Sequence, residues 1–196
     1  MSLLTLCLTL FLIVNPLGNL KVFLSVFEGM KPGRQSFVIA REMLIALAAM
    51  FLFSFFGEYI TSVFNFDNTT VFITSGIVLF LVAIKILFPP KEEHLPRFHG
   101  EEPFLVPIAI PVVASPALLA TIMLFSHSEP LIMPMVIGIL VAWFASALIF
   151  LGSRKILRIL GPSGLLAVER LMGIVLVLLS IQRFMDGILL FMSQQQ

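Results

Sequence analysis

The sequence predicts an all-α integral membrane protein: six transmembrane helices arranged as two inverted three-helix repeats, with spans 1 and 4 broken or kinked. Three observations predict it. Hydrophobic residues make up 59% of the 196 residues and charged ones 12%, where a soluble domain carries roughly 45–50% and about 25%. Stretches poor in charge and long enough to cross a hydrocarbon layer recur along the chain. A proline-centred interruption falls at corresponding places in the first and fourth of them. With 20 Phe, 10 Met and a mean hydropathy of +1.09, the chain has too few charges to cover its apolar surface in water.

The stretches are residues 2–20, 37–57, 68–88, 103–128, 130–153 and 165–192. The first does not read as a signal peptide. It has no basic n-region and carries Asn15-Pro16-Leu17-Gly18-Asn19 rather than a small-residue cleavage site. Lys and Arg set the orientation. They follow span 1 (Lys31, Arg34, Arg41), span 3 (Lys91, Arg97) and span 5 (Arg154, Lys155, Arg158), with Lys21, Lys85 and Arg170 near the same ends. Arg183, near the outer end of span 6, is the exception. Odd-numbered loops are therefore expected in the cytoplasm and both termini in the periplasm, with Glu58, Asp67, Glu129 and Asp186 on the outer side.

Residues 91–102 form the one long polar stretch and read as a cytoplasmic linker between a first repeat, 1–90, and a second, 103–196. Gly76-Ile77-Val78-Leu79-Phe80-Leu81-Val82-Ala83-Ile84 in span 3 matches Gly173-Ile174-Val175-Leu176-Val177-Leu178-Leu179-Ser180-Ile181 in span 6 at six of nine positions, an offset of 97. Val14-Asn15-Pro16-Leu17 and Ala114-Ser115-Pro116-Ala117 align at an offset of 100. Greasy helices share aliphatics by chance, but here Gly and Pro align too. Three helices per half bring the second half in from the opposite side, a construction common in secondary transporters.

Pro16 removes a backbone donor and Gly18 loosens the same turn. In lipid the freed groups must find partners or line a wet cavity. Span 4 carries Pro107, Pro111 and Pro116, with Ser115 and Thr121 nearby. Half-helices meeting at mid-depth would turn amide ends toward an anion and carbonyl ends toward a cation, and an amino-acid zwitterion presents both charges. The candidate substrate site is thus Asn15, Pro16, Gly18 and Asn19 from one half and Ser115, Pro116 and Thr121 from the other. The plainer alternative is a pair of kinked helices packed on their neighbours.

Arg41-Glu42 opens span 2 and Glu169-Arg170 opens span 6. They read either as ion-paired anchors at the membrane edge or as coupling or gating groups, with Glu42 or Glu169 carrying a proton or cation. No enzymatic signature is present: no His-Glu-x-x-His run, no Gly-x-Ser-x-Gly elbow, no phosphate loop. A lone Cys7 forms no disulfide framework, and His94 and His99 lack metal-ligand spacing, so neither cofactor nor resident metal is expected. A net charge of +1 gives a nucleic-acid partner no electrostatic support.

These residues resemble the MarC family of six-span bacterial inner-membrane proteins. The matching stretches are Asn15-Pro16-Leu17-Gly18-Asn19, Arg41-Glu42-Met43-Leu44-Ile45-Ala46-Leu47, Ser75-Gly76-Ile77-Val78-Leu79-Phe80-Leu81, Gly100-Glu101-Glu102-Pro103-Phe104 with Pro107-Ile108-Ala109-Ile110-Pro111, and Glu169-Arg170-Leu171-Met172-Gly173. They run in family order over nearly the whole chain. Two positions depart from the pattern: Asn15 stands where Asp is common, which weakens a proton-carrying role there, and Ser115 where Gly is usual. The resemblance implies kinship with transporters and exporters of small neutral amino acids such as glycine and alanine. The expected function is secondary transport or export of a small neutral solute, coupled to H⁺ or Na⁺, with lipid as the standing partner and a homo-oligomer as a further expectation. The rival expectation is a non-transporting scaffold or accessory subunit of an envelope complex.

Overall fold

The computed structural model describes residues 2–20, 24, 32–88, 113–128 and 132–194. The elements are α1 (Leu3–Val14), α2 (Pro32–Val63), α3 (Asn68–Leu87), α4 (Pro116–Ser128), α5 (Ile132–Leu151) and α6 (Ser153–Gln194). Among the described residues there is no strand. Among the described residues four helices are long and apolar enough to cross a membrane: α2 over Phe37–Gly57, α3, α5 and α6. At 1.5 Å per residue the 12 residues of α1 reach only about 18 Å, short of a hydrocarbon core of about 30 Å. The 13-residue α4 is similarly short. The polar stretch 91–102, with His94 and His99, lies outside the described residues, as do Lys21, Pro107 and Pro111.

Local chemistry sets the helix ends. The Ser2 side chain caps α1 by accepting from the Thr5 amide at 3.2 Å. The same helix stops where Pro16 bars right-handed α geometry to its predecessor, and Asn15 takes the left-handed region at φ 46°. Asp67 occupies the N-cap position of α3. Within α6, Gly161 at φ 65°, ψ 174° separates residues 153–160 from the spanning part. Such angles favour glycine.

Apolar residues cover both the inside and the outside. Leu10, Leu79, Ile122, Phe125, Ile139 and Phe150 are buried, while Phe55, Leu81, Phe144 and Leu178 are exposed. That outer surface suits lipid and not water. What holds the helices together must therefore be close packing and polar bonds between them.

The seam between α3 and α6 is the most extensive contact. The two run antiparallel: Gly76 lies against Phe184, Gly173 against Leu87, and Gly187 against Ile73. Thr69 Oγ1 and Gln194 Oε1 meet at 3.2 Å at one end. An added Cβ at Gly76 would sit 2.7 Å from the Phe184 backbone nitrogen, and one at Gly173 would sit 2.9 Å from Leu87 Cγ. The contact is reciprocal, since the offset of 97 that relates Gly76 to Gly173 also relates Leu87 to Phe184. Elsewhere α1 packs on α5, and α4 packs on α2 and α3. Ser126 Oγ donates to the Ser54 carbonyl at 2.7 Å, tying α4 to α2. Trp143 Nε1 donates to the Met43 carbonyl at 2.7 Å, tying α5 to α2.

The two glycines of the seam should tolerate a methyl group unequally. Gly76→Ala meets backbone, which cannot step aside, and is expected to cost about 1–3 kcal/mol. Gly173→Ala meets the end of a leucine side chain and should cost less. Thermal unfolding of the two variants in detergent measures the difference.

Candidate functional site

Around Pro16 several backbone groups find partners within the turn itself. Asn15 Oδ1 accepts from the Gly18 amide at 3.3 Å, the Asn15 carbonyl accepts from the Asn19 amide at 3.1 Å, and Asn19 Nδ2 donates to the Val14 carbonyl at 3.0 Å. An Asn side chain folding back onto nearby backbone is the usual way such a turn is stabilised. The turn then meets α6. Asn15, itself buried, points Nδ2 at Glu169 Oε1 across 3.5 Å. A Cβ at Gly18 would lie 2.5 Å from the same carboxylate oxygen. The structure thus brings together Asn15, Gly18 and Glu169, residues 154 positions apart in the case of the first and last. Arg170, next to Glu169, is exposed.

The second half of the expected site reads differently. Ser115 Oγ accepts from the Leu118 amide at 3.1 Å and its carbonyl from the Leu119 amide at 3.0 Å. Ser115 is thus the N-cap of α4 and Pro116 its first residue, where a missing N–H costs nothing. Pro116 starts a helix here, and the stretch just before it, residues 103–112, is not described. Thr121 is fully buried, and its hydroxyl donates to the Ala117 carbonyl at 2.8 Å. Helices α1 and α4 touch, but no bond joins Asn15 to Ser115 or Thr121 among those the structure gives. The cavity between α3 and α6, about 220 Å³, is lined by Gly76, Ile77, Phe80, Ser180, Ile181 and Phe184, and none of the expected site residues reaches it.

Arg41 and Glu42 do pair, at 2.8 Å. Both Arg41 Nε and Nη2 donate to the same oxygen, Glu42 Oε1. The Glu42 side chain is only 1% exposed while that of Arg41 is 29% exposed. Among the described residues Glu42 Oε2 is buried without a hydrogen-bond partner. A carboxylate oxygen in that state is costly, so it calls for a physical reason.

Arg183 was missed by sequence reasoning, which placed it near an outer edge. It is 2% exposed. Its guanidinium carbon lies 4.3 Å from the Phe72 ring centre and 4.1 Å from that of Phe125, and Nε donates to Ser75 Oγ at 3.0 Å. Ser75 Oγ in turn donates to the Phe72 carbonyl at 2.8 Å. Aromatic faces and a hydroxyl stabilise the cation away from water, and the group joins α3, α4 and α6. The signal existed: Gly173, Leu176, Ser180, Arg183 and Gly187 are all buried and share one face of α6. Among the described residues no three His, Cys, Asp or Glu side chains gather as a metal site.

Comparison with known proteins gives the lineage. A family described as "MarC family integral membrane protein" matches residues 1–192. The chain is 48% identical over 180 residues to a "UPF0056 membrane protein" of Buchnera aphidicola subsp. Schizaphis graminum, covering 91% of this chain and 92% of that protein. It is 47% identical over 188 residues to the Escherichia coli K12 "UPF0056 inner membrane protein YhgN", covering 94% of each. A "UPF0056 membrane protein" of Chlamydia trachomatis is 34% identical over 184 residues, covering 91% of this chain and 89% of its own. No solved structure matches.

Because a methyl on Gly18 would press on Glu169 and on the Asn15 amide, Gly18→Ala should destabilise the protein by about 1–3 kcal/mol. Part of that cost should vanish in a Glu169→Ala background. A double-mutant cycle on thermal stability reads the coupling, and strict additivity would show that the contact carries no energy.

Proposed function

The chain belongs to the MarC family of integral membrane proteins, and from that premise we propose that it is a secondary transporter or exporter of a small neutral solute, an amino acid such as glycine or alanine, coupled to H⁺ or Na⁺. It would work in the bacterial inner membrane, as the name of its Escherichia coli relative has it. The orientation is the one the Lys and Arg bias favours, with both termini in the periplasm.

The observation that carries the reading is Glu42. An ionisable side chain inside a membrane span is expensive, and its retention favours a role in moving charge. Glu42 offers one oxygen to Arg41 and holds the other buried and unclaimed. That oxygen is the group to bear a coupling proton or meet a coupling cation. Arg41, partly exposed, is the counter-charge at the mouth.

Two further features support the reading. The reciprocal antiparallel seam of α3 and α6 is what an inverted three-helix repeat would produce, with the pseudo-twofold passing between the two helices. The span 1 interruption, Asn15 to Asn19, leans on Glu169 through a long contact from the Asn15 side chain, an arrangement that can separate and re-form as the halves rock. In this reading spans 1 and 4 are broken. Asn15, Pro16, Gly18 and Asn19 with Ser115, Pro116 and Thr121 line the solute path, and Glu169 and Arg170 gate it.

The test is uptake into liposomes holding the purified protein. Labelled glycine or alanine should accumulate under an imposed H⁺ or Na⁺ gradient. Glu42→Gln should lose gradient-driven accumulation while keeping solute exchange in counterflow. If folded wild-type protein moves no small neutral solute in either assay, the transport reading falls and the scaffold alternative takes its place.

A further inference from the structure

We propose that residues 153–160, the first segment of α6, form a docking surface for the headgroups of anionic phospholipids. The proposal is independent of transport. It starts from where the segment sits. The predominantly apolar, 20-residue helix α5 ends at Leu151, and the spanning run of α6 begins past Gly161 and Pro162. Twenty helical residues cover about 30 Å, the thickness of the hydrocarbon core. The chain thus leaves the hydrocarbon just before Ser153 and re-enters just after Pro162, which confines the segment between them to the interface.

Its composition suits that layer. Arg154, Lys155 and Arg158 are all exposed and fall within about a third of the helix circumference. Ile156, Leu157, Ile159 and Leu160 occupy the rest. Ile159 is 82% exposed, more than any other large apolar side chain given for this protein. A short helix with exposed cations on one arc and aliphatics on the other, Ile159 exposed and Ile156, Leu157 and Leu160 part-buried, lies in the plane of a membrane surface, aliphatics toward the acyl chains and cations toward phosphate. The charge excess identifies the occupant: a zwitterionic headgroup has no net charge to match it.

The segment is also aimed. Arg154 Nη2 donates to Gln35 Oε1 on α2 at 2.8 Å, fixing its start. Among the described residues, no atom outside its own stretch of chain lies within 4 Å of where a Cβ on Gly161 would sit, so its glycine serves the positive φ and no close approach. The end of the segment can then settle to the level of the headgroups. Lys155 and Arg158 are the cations left for lipid.

Electron spin resonance with spin-labelled lipids tests this, on full-length protein in phosphatidylcholine vesicles. Wild-type protein should select labelled phosphatidylglycerol over labelled phosphatidylcholine. K155Q/R158Q, which leaves the Arg154–Gln35 bond intact, should lose about fivefold of that preference per cation removed. Raising the salt should erase the wild-type preference too. Lys85→Gln, which removes an exposed cation of α3 instead, should change it less. In a Cys7→Ser background, a cysteine placed by Ile159→Cys should be shielded from a bulky charged maleimide in vesicles and open to it in detergent. The proposal is overturned if wild-type protein shows no selectivity, if K155Q/R158Q keeps it, or if Lys85→Gln lowers it as much. It is also overturned if the cysteine reacts equally in vesicles and detergent, the result expected of a surface kept for a water-borne partner.

Discussion

In hydrocarbon an apolar side chain gains little by touching another apolar side chain instead of a lipid tail, so helices stay together through intimate contact. The α3–α6 seam is where this chain meets that requirement. Gly76 and Gly187 bring the backbone of one helix against that of the other, and Gly173 opens a place for Leu87. The remaining contacts arrange themselves around that pair: α4 covers α3 and leans on α2, α1 covers α5, and α5 binds α2 through an indole. A seam built on missing side chains has no slack. A methyl at Gly76 would have to move a helix.

The polar groups divide by how they are satisfied. Those of the Pro16 turn are taken up largely within the turn, and the Asn15 side chain also reaches Glu169. Ser115 and Thr121 serve the helix they belong to. Arg183 is stabilised by ring faces and a hydroxyl. Glu42 gives one oxygen to Arg41, and its other oxygen is buried with no hydrogen-bond partner among the described residues. Charge inside the spans thus sits in two settings, a cation that joins three helices and a carboxylate paired with the residue before it.

Much of the fold was legible in the sequence because lipid imposes a coarse rule, an apolar run of a given length, that composition reveals directly. Spans 3 and 5 fall within two residues of α3 and α5 at each end. The Gly76 and Gly173 motifs were visible as a repeat, and the structure uses both at one seam. Ends were less legible. Hydropathy does not distinguish a helix that stops at Asn15 from one that passes through Pro16, nor a proline that breaks a helix from one that starts it, as Pro116 does. Charged residues are less legible. A place near the outer end of span 6 does not reveal that Arg183 lies on the buried face of its helix. The partnership of Asn15 with Glu169 depends on three-dimensional proximity that no local pattern encodes.

The bond between Trp143 and the Met43 carbonyl has one more consequence. The chain contains one tryptophan and one tyrosine. Its intrinsic emission therefore comes almost wholly from an indole hydrogen-bonded to the residue after Glu42. A change in how α2 meets α5 at that level alters the polarity and hydrogen bonding around this ring. The molecule carries its own fluorophore one residue from its buried acid, with no dye or label required.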